Sequence, residues 1–294
     1  MSRRTSLLEP MMIVRAVLAS LALLSAPVAP ALAFSSSAVE ATVIAPTRQT
    51  LTTPDGRAVS LSIWTAPDER GVVVFSHGFG GAPEAYQRLL SAWAAHGFTV
   101  IAPLHVDSQQ HPDHSANGQV ALTTRLEDLA LTREAAAREH TGEPMIVAGH
   151  SFGSLMSLIA GGATTILGPQ GDPAVKGVIA LSSPGPIPVV VTPETYRTLT
   201  APLLVVTGDQ DIVPGYADDW RDHRLPFDTA PQGDKSLIVV AGGGHQLPAT
   251  AEGEQFDLLV RATEDFLDAY ALGDTEAKAR LDALSAPGVI VEHR

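Results

Sequence analysis

Four short runs in this chain are apolar almost throughout rather than alternating: residues 71–76, 145–149, 202–207 and 237–241. A run of this length and character reads as a strand buried on both faces, which is the pattern of a parallel sheet covered by helices. Each run empties into a loop that combines glycine with groups able to do chemistry. In a parallel sheet those loops come together at one edge. The four loops therefore have to be read as a set.

The run at 145–149 leads into Gly149-His150-Ser151-Phe152-Gly153, which fits G-x-S-x-G, and residues 153–160 continue with helical spacing. Strand, sharp turn and helix is the context in which such a serine stands exposed at the top of a sheet. The flanking glycines remove side chains where strand and helix backbones must approach. The motif alone occurs by chance, and an idle turn serine is the plain alternative.

The run at 71–76 opens into His77-Gly78-Phe79-Gly80-Gly81. A glycine-rich loop after a strand lets backbone N–H groups point into a pocket, and acyl transfer needs two such donors for its oxyanion. Phe152, which follows the serine, would supply one. Phe79 is the expected source of the other, with Gly80 as the alternative. The run at 202–207 leads to Gly208-Asp209-Gln210-Asp211. An acid just beyond a strand end can hold a histidine in the useful tautomer. Asp211, placed before Ile-Val-Pro214, is preferred, and Asp209 reads as a turn residue bonded to local backbone. The run at 237–241 is followed by Gly242-Gly243-Gly244-His245. Of the ten histidines, His245 alone follows both the acid and a strand of this kind. Ser151, Asp211 and His245 thus stand in the order nucleophile, acid, base.

Taken together, His77-Gly-Phe-Gly-Gly81, Gly149-His-Ser-Phe-Gly153, Asp211 and Gly244-His245 resemble the α/β-hydrolase superfamily, over about residues 48 to 272. Within it the chain looks most like small secreted esterases related to dienelactone hydrolase, platelet-activating-factor acetylhydrolase, chlorophyllase and bacterial polyester hydrolases. The resemblance implies a mostly parallel, doubly wound α/β sheet with helices on both faces. It also implies serine ester hydrolysis by Ser151, His245 and Asp211, with the N–H groups of Phe79 and Phe152 binding the oxyanion and no cofactor or metal. A small-molecule or polymeric ester is the expected substrate. A peptidase or thioesterase of the same fold, or a binding protein that retains it, are the alternatives, and the oligomeric state is left open. Serine at the elbow argues against dehalogenase or epoxide hydrolase chemistry, which places a carboxylate there.

Residues 12–33 are almost wholly apolar, with Arg15 near their start and Ala31-Leu32-Ala33 as a small-residue cleavage site. Pro27 and Pro30 interrupt the stretch before it could span a bilayer. This reads as a signal peptide over 1–33, cleaved before Phe34, so that a single catalytic domain at 34–294 is exported to the periplasm or beyond. Ser2-Arg3-Arg4 also resembles a twin-arginine start, and translation from Met11 or Met12 would give a conventional leader; the export route stays open. No stable membrane anchor is expected. The chain has no cysteine and carries 19 Lys+Arg against 32 Asp+Glu, for a net charge of −13. Loss of the leader removes three arginines and one glutamate, leaving a still more acidic protein. Such a surface repels nucleic acid and anionic membranes.

Elsewhere, residues 50–53 and 58–65 alternate around Pro54-Asp55-Gly56 and read as a hairpin. Helices are expected at 85–96, 122–140 and 255–272, the last with Phe256, Leu259, Phe266 and Tyr270 as core contacts, and strands at 98–102 and 177–182. Only residues 183–201 separate the last of these strands from the next, and with prolines at 184, 186, 188 and 193 they hold at most one short helix. The cap is minimal, and interfacial activation by a mobile lid is not expected. The loop at 104–117 contains His105, Asp107, His111, Asp113 and His114. A solvated or hydrogen-bonded loop is the first reading, and His111-x-x-His114 is too loose for a metal site. His105 is the residue chosen should one line the substrate entrance.

Overall fold

A computed structural model describes residues 43–114 and 118–294; the leader expected at 1–33 lies outside the described residues. The alternating segments on either side of Pro54-Asp55-Gly56 form an antiparallel hairpin, β1 (Thr47–Thr52) with β2 (Ala58–Trp64). The hairpin begins three residues earlier than its pattern suggests. The apolar runs then become β3 (Gly71–Ser76), β4 (Phe98–Pro103), β5 (Met145–His150), β6 (Val175–Leu181), β7 (Leu203–Gln210) and β8 (Lys235–Gly244). A last strand, β9 (Val289–His293), closes the edge.

These nine strands make one sheet in the order β1-β2-β4-β3-β5-β6-β7-β8-β9. Its centre, from β4 to β8, is parallel, and its margins at β1–β2, β2–β4 and β8–β9 are antiparallel. The order reverses direction between β3 and β5. Ligands of open α/β sheets bind outside the strand ends at such a switch point.

The helices α1 (Gln87–Ala95), α2 (Gly118–Glu139), α3 (Phe152–Ala160), α4 (Gly253–Ala271) and α5 (Thr275–Asp282) cover both faces. Successive residues of β3 sort into two cores. Val72 and Val74 pack with Leu122 and Leu129 of α2 and Leu155 and Leu158 of α3. Val73 and Phe75 pack with Trp93 of α1, Leu258 and Phe266 of α4 and Leu281 of α5. Each such side chain, fully buried, contributes about 1.5–3 kcal/mol. Of the four core contacts expected on α4, Leu259 and Phe266 are fully buried, while Phe256 and Tyr270 pack at the margin.

One feature departs from the sequence pattern, and one agrees with the expectation of a minimal cap. Helix α5 and strand β9 extend the domain beyond residue 272. Asp274 caps α5 by accepting from the N–H groups of Glu276 and Ala277, and β9 pairs with β8. Residues 183–201 form turns and an isolated Ile187–Val191 bridge without any helix, anchored by buried Val191, Tyr196 and Leu199. Among the described residues no helix is long and apolar enough to cross a membrane.

Candidate active site

The turn between β5 and α3 places Ser151 at φ 53°, ψ −123°, a backbone region that costs a non-glycine residue free energy and recurs at functional sites. The neighbouring glycines make the turn possible. A Cβ on Gly149 would lie 2.3 Å from the carbonyl oxygen of Gly153, and one on Gly153 would lie 2.0 Å from that of Ser76. The start of α3 therefore sits directly on the end of β3.

The ends of β7 and β8 bring the other two candidates to the same edge. His245 Nε2 lies 3.0 Å from Ser151 Oγ, and His245 Nδ1 lies 2.8 Å from Asp211 Oδ1. Since a carboxylate only accepts, Nδ1 carries the proton and Nε2 is left to accept from the serine hydroxyl. Asp211 is fully buried, and Thr207 Oγ1 donates to its Oδ2 at 2.7 Å. Burial opposes the charge of Asp211, but hydrogen bonds from His223 and His245 outweigh it and hold the carboxyl well below the usual range. Asp209, the other acid of this loop, takes the N–H of Gly242 at 2.7 Å and stays out of the relay.

His223, for which the sequence offered no role, approaches Asp211 from its other side. Its Nε2 is 2.9 Å from Asp211 Oδ1, and its Nδ1 contacts the carbonyl oxygen of Ser183. Both partners are acceptors, so both nitrogens must donate and the ring is an imidazolium. Burial disfavours that charge, yet the Asp211 carboxylate raises the His223 pKa above the ordinary histidine value. His150, within the serine motif, has the opposite character. Its Nε2–H donates to the carbonyl of His245 at 2.7 Å, while its Nδ1, at 2.7 Å from Tyr86 Oη, accepts from that hydroxyl. The Tyr86 hydroxyl in turn accepts from Gly78 N–H at 3.1 Å. Burial, helped by the neighbouring His245, pushes the His150 pKa down to about 3.

The backbone donors divide cleanly. Gly78 N–H is taken by Tyr86 and Gly80 N–H by Asp107 Oδ2 at 2.9 Å. Among the described residues, the N–H groups of Phe79 and Phe152 have no protein acceptor. Phe152 owes this to its place in the first turn of α3. The two residues adjoin, their rings in edge contact with centroids 5.9 Å apart. Of the two donors considered for the first loop, Phe79 is available and Gly80 is not.

His105, the residue chosen should one of its loop line the substrate entrance, does not do so, and the hydrogen-bonded reading applies to it. Its side chain is fully buried, with Nε2 2.9 Å from Ser76 Oγ and Nδ1 2.8 Å from Asp128 Oδ2. Those partners lie under the sheet edge, so the ring faces inward. His111 is half-buried, and its Nδ1 contacts the backbone of Asp113 at 3.0 Å. Asp211, His223 and His245 bring their ligand atoms within 4.8 Å of one another, as a metal site would. Here those atoms already bond to each other, and a cation would have to break the relay to enter.

The strand order, the turn at Ser151 and the loops that converge on it make up an α/β-hydrolase fold. The serine aminopeptidase S33 family, Hydrolase_4, matches residues 67–187. The chain is 28% identical to the monoacylglycerol lipase of Mycolicibacterium smegmatis over 227 residues, covering 70% of this chain and 74% of that protein. Among solved structures it is similar to a soluble variant of the monoglyceride lipase of Saccharomyces cerevisiae, bound to a substrate analog. The TM-score is 0.62 at 13% identity, covering 79% of this chain and 97% of the other. A highly thermostable carboxyl esterase of Bacillus coagulans gives a TM-score of 0.61 at 16% identity, covering 77% and 99%.

Proposed function

We propose that this protein is a serine hydrolase that cleaves carboxylic esters through an acyl-enzyme on Ser151. The observation that carries this reading is the continuous relay from Ser151 Oγ through His245 to buried Asp211, at 3.0 and 2.8 Å. His245 Nε2 takes the hydroxyl proton as Ser151 attacks the acyl carbon, and Asp211 stabilises the imidazolium that forms. The free N–H groups of Phe79 and Phe152 bind the oxyanion. The intermediate collapses, and the alcohol leaves with the proton from His245. Water, deprotonated by His245, then attacks the acyl-enzyme, and Ser151 recovers its proton as the acid departs.

An ester of small or polymeric form, reaching the serine past a minimal cap, is the substrate class. The similarity to a monoacylglycerol lipase and a carboxyl esterase supports it. The signal-like residues 1–33 support export, with the catalytic domain at 34–294 as the working form. Peptide hydrolysis by the same residues is the second reading, favoured by the match to the serine aminopeptidase S33 family.

The test is hydrolysis of p-nitrophenyl acetate, butyrate, octanoate and palmitate by residues 34–294, beside Ser151→Ala and beside peptide p-nitroanilides. Ester turnover that vanishes in the variant supports the proposal. Equal rates in both proteins would place the chemistry elsewhere, and faster anilide cleavage would favour the peptidase. Stoichiometric fluorophosphonate labelling of Ser151 separates an enzyme of narrow range from a binding protein.

A further inference from the structure

Beneath the 77–81 loop lies a fully buried arginine that the mechanism above does not use. Arg125, on α2, spends its guanidinium on the backbone of that loop. Nη1 donates to the carbonyl of His77 at 2.5 Å and Nη2 to that of Gly78 at 3.1 Å. Nε and Nη2 also donate to Asp107, each at 2.7 Å, and Nη1 reaches Ser76 Oγ at 3.3 Å. The same guanidinium lies 5.1 Å from the centre of the Phe152 ring.

Gly78 O also accepts from His77 Nδ1 at 2.7 Å and from Gly81 N–H at 3.1 Å. Three donors on one carbonyl fix that peptide plane. The Gly78–Phe79 peptide is trans, so its N–H projects opposite to the fixed carbonyl. Asp107, held by Arg125, takes the next N–H along, that of Gly80. Arg125 and Asp107 thus choose which amide of the loop is presented and in which direction. His105 braces the assembly: its own N–H donates to His77 Nε2 at 3.1 Å, and its ring ties Ser76 to Asp128.

We propose that Arg125, acting with Asp107, is the positioning residue of the oxyanion site: it locks the 77–81 loop with Phe79 N–H toward the serine and Gly80 N–H turned away. The proposal rests on the ester hydrolase reading of Ser151. A lysine cannot replace this arginine, because an ammonium offers no planar fork for two carbonyls and a carboxylate.

The experiment compares wild type, Arg125→Lys and Asp107→Asn on a p-nitrophenyl ester and on its thionoester, with Tm measured for each. An oxyanion donor acts in the transition state more than in the ground state. On the oxygen ester, kcat of Arg125→Lys is expected to fall about 100-fold with KM within about threefold, the loss of one oxyanion donor. The thionoester, whose sulfur anion gains little from N–H donors, should lose less than about tenfold. Asp107→Asn should shift the ratio of the two rates in the same direction, and it decides the matter if Arg125→Lys does not fold. Equal losses on both esters would mean that Arg125 supports only the fold, and an unchanged kcat would also overturn the proposal. A wild-type protein that hydrolyses neither ester would overturn the hydrolase reading first, and this proposal with it.

Discussion

His223 and His245 donate to the same oxygen of Asp211, at 2.9 and 2.8 Å. The candidate acid is therefore shared between the fully buried ring of His223 and the imidazole that faces Ser151. With Thr207 donating to Oδ2, both oxygens of Asp211 are held by hydrogen bonds.

A pH dependence of stability follows. The folded pKa of His223 is raised above its unfolded value of about 6.5. Its contribution is full below that value and is lost as pH rises through the folded pKa. The unfolding free energy of wild type from urea titration should fall from pH 6.5 upward, by at most about 1.4 kcal/mol per pH unit for one proton. His223→Gln can no longer bind that proton, so its profile should be flatter over the same interval. Parallel profiles would show that His223 is neutral.

The two acids after β7 should separate in kinetics. Asp211→Asn removes the group that fixes the His245 tautomer, and kcat should drop on the order of 10⁴-fold. Asp209 binds the backbone of Gly242 and touches neither histidine. Asp209→Asn should cost kcat less than about tenfold. Ester kinetics on both variants check this, and a reversed order would reassign the acid.

What could be read beforehand, and what could not, has a physical division. Each candidate triad residue follows a parallel strand whose first six residues are buried, so the sheet brings Ser151, Asp211 and His245 to one edge. Arg125 escaped notice because a charge within a helical run ordinarily reads as a solvated face. Its register held the signal: residues 122, 125, 129, 132 and 136 share one stripe of α2, and all five are buried. His105 misled for the converse reason. A histidine in a polar loop looks available, and only the three-dimensional placement of Asp128 and Ser76 turns it inward. His223 sits in no motif, and β9 is a short strand with a charged end, so pairing with β8 decides its conformation.

Acid should expose His150. Its folded pKa of about 3 lies far below the ordinary histidine value, so between about pH 6.5 and 3 the unfolded chain binds a proton that the folded one refuses. Stability carried by this neutral ring is lost as pH falls, again by up to about 1.4 kcal/mol per pH unit. His150→Gln should show a shallower acid limb in urea unfolding. An unchanged limb would assign acid sensitivity to other groups.

The serine turn offers a test of packing without chemistry. Gly153→Ala puts a methyl 2.0 Å from the Ser76 carbonyl oxygen, a backbone atom that cannot rotate away. Either the start of α3 or the end of β3 must shift, and a cost of about 3 kcal/mol is expected. Gly142→Ala is the comparison: φ is +94°, but nothing lies within 4 Å of the added carbon. Only backbone strain then applies, about 1 kcal/mol. Urea unfolding of both variants should give the larger loss at Gly153. Because β3 also carries the loop with Phe79, Gly153→Ala should lose ester turnover at temperatures where it remains folded, whereas Gly142→Ala should keep it.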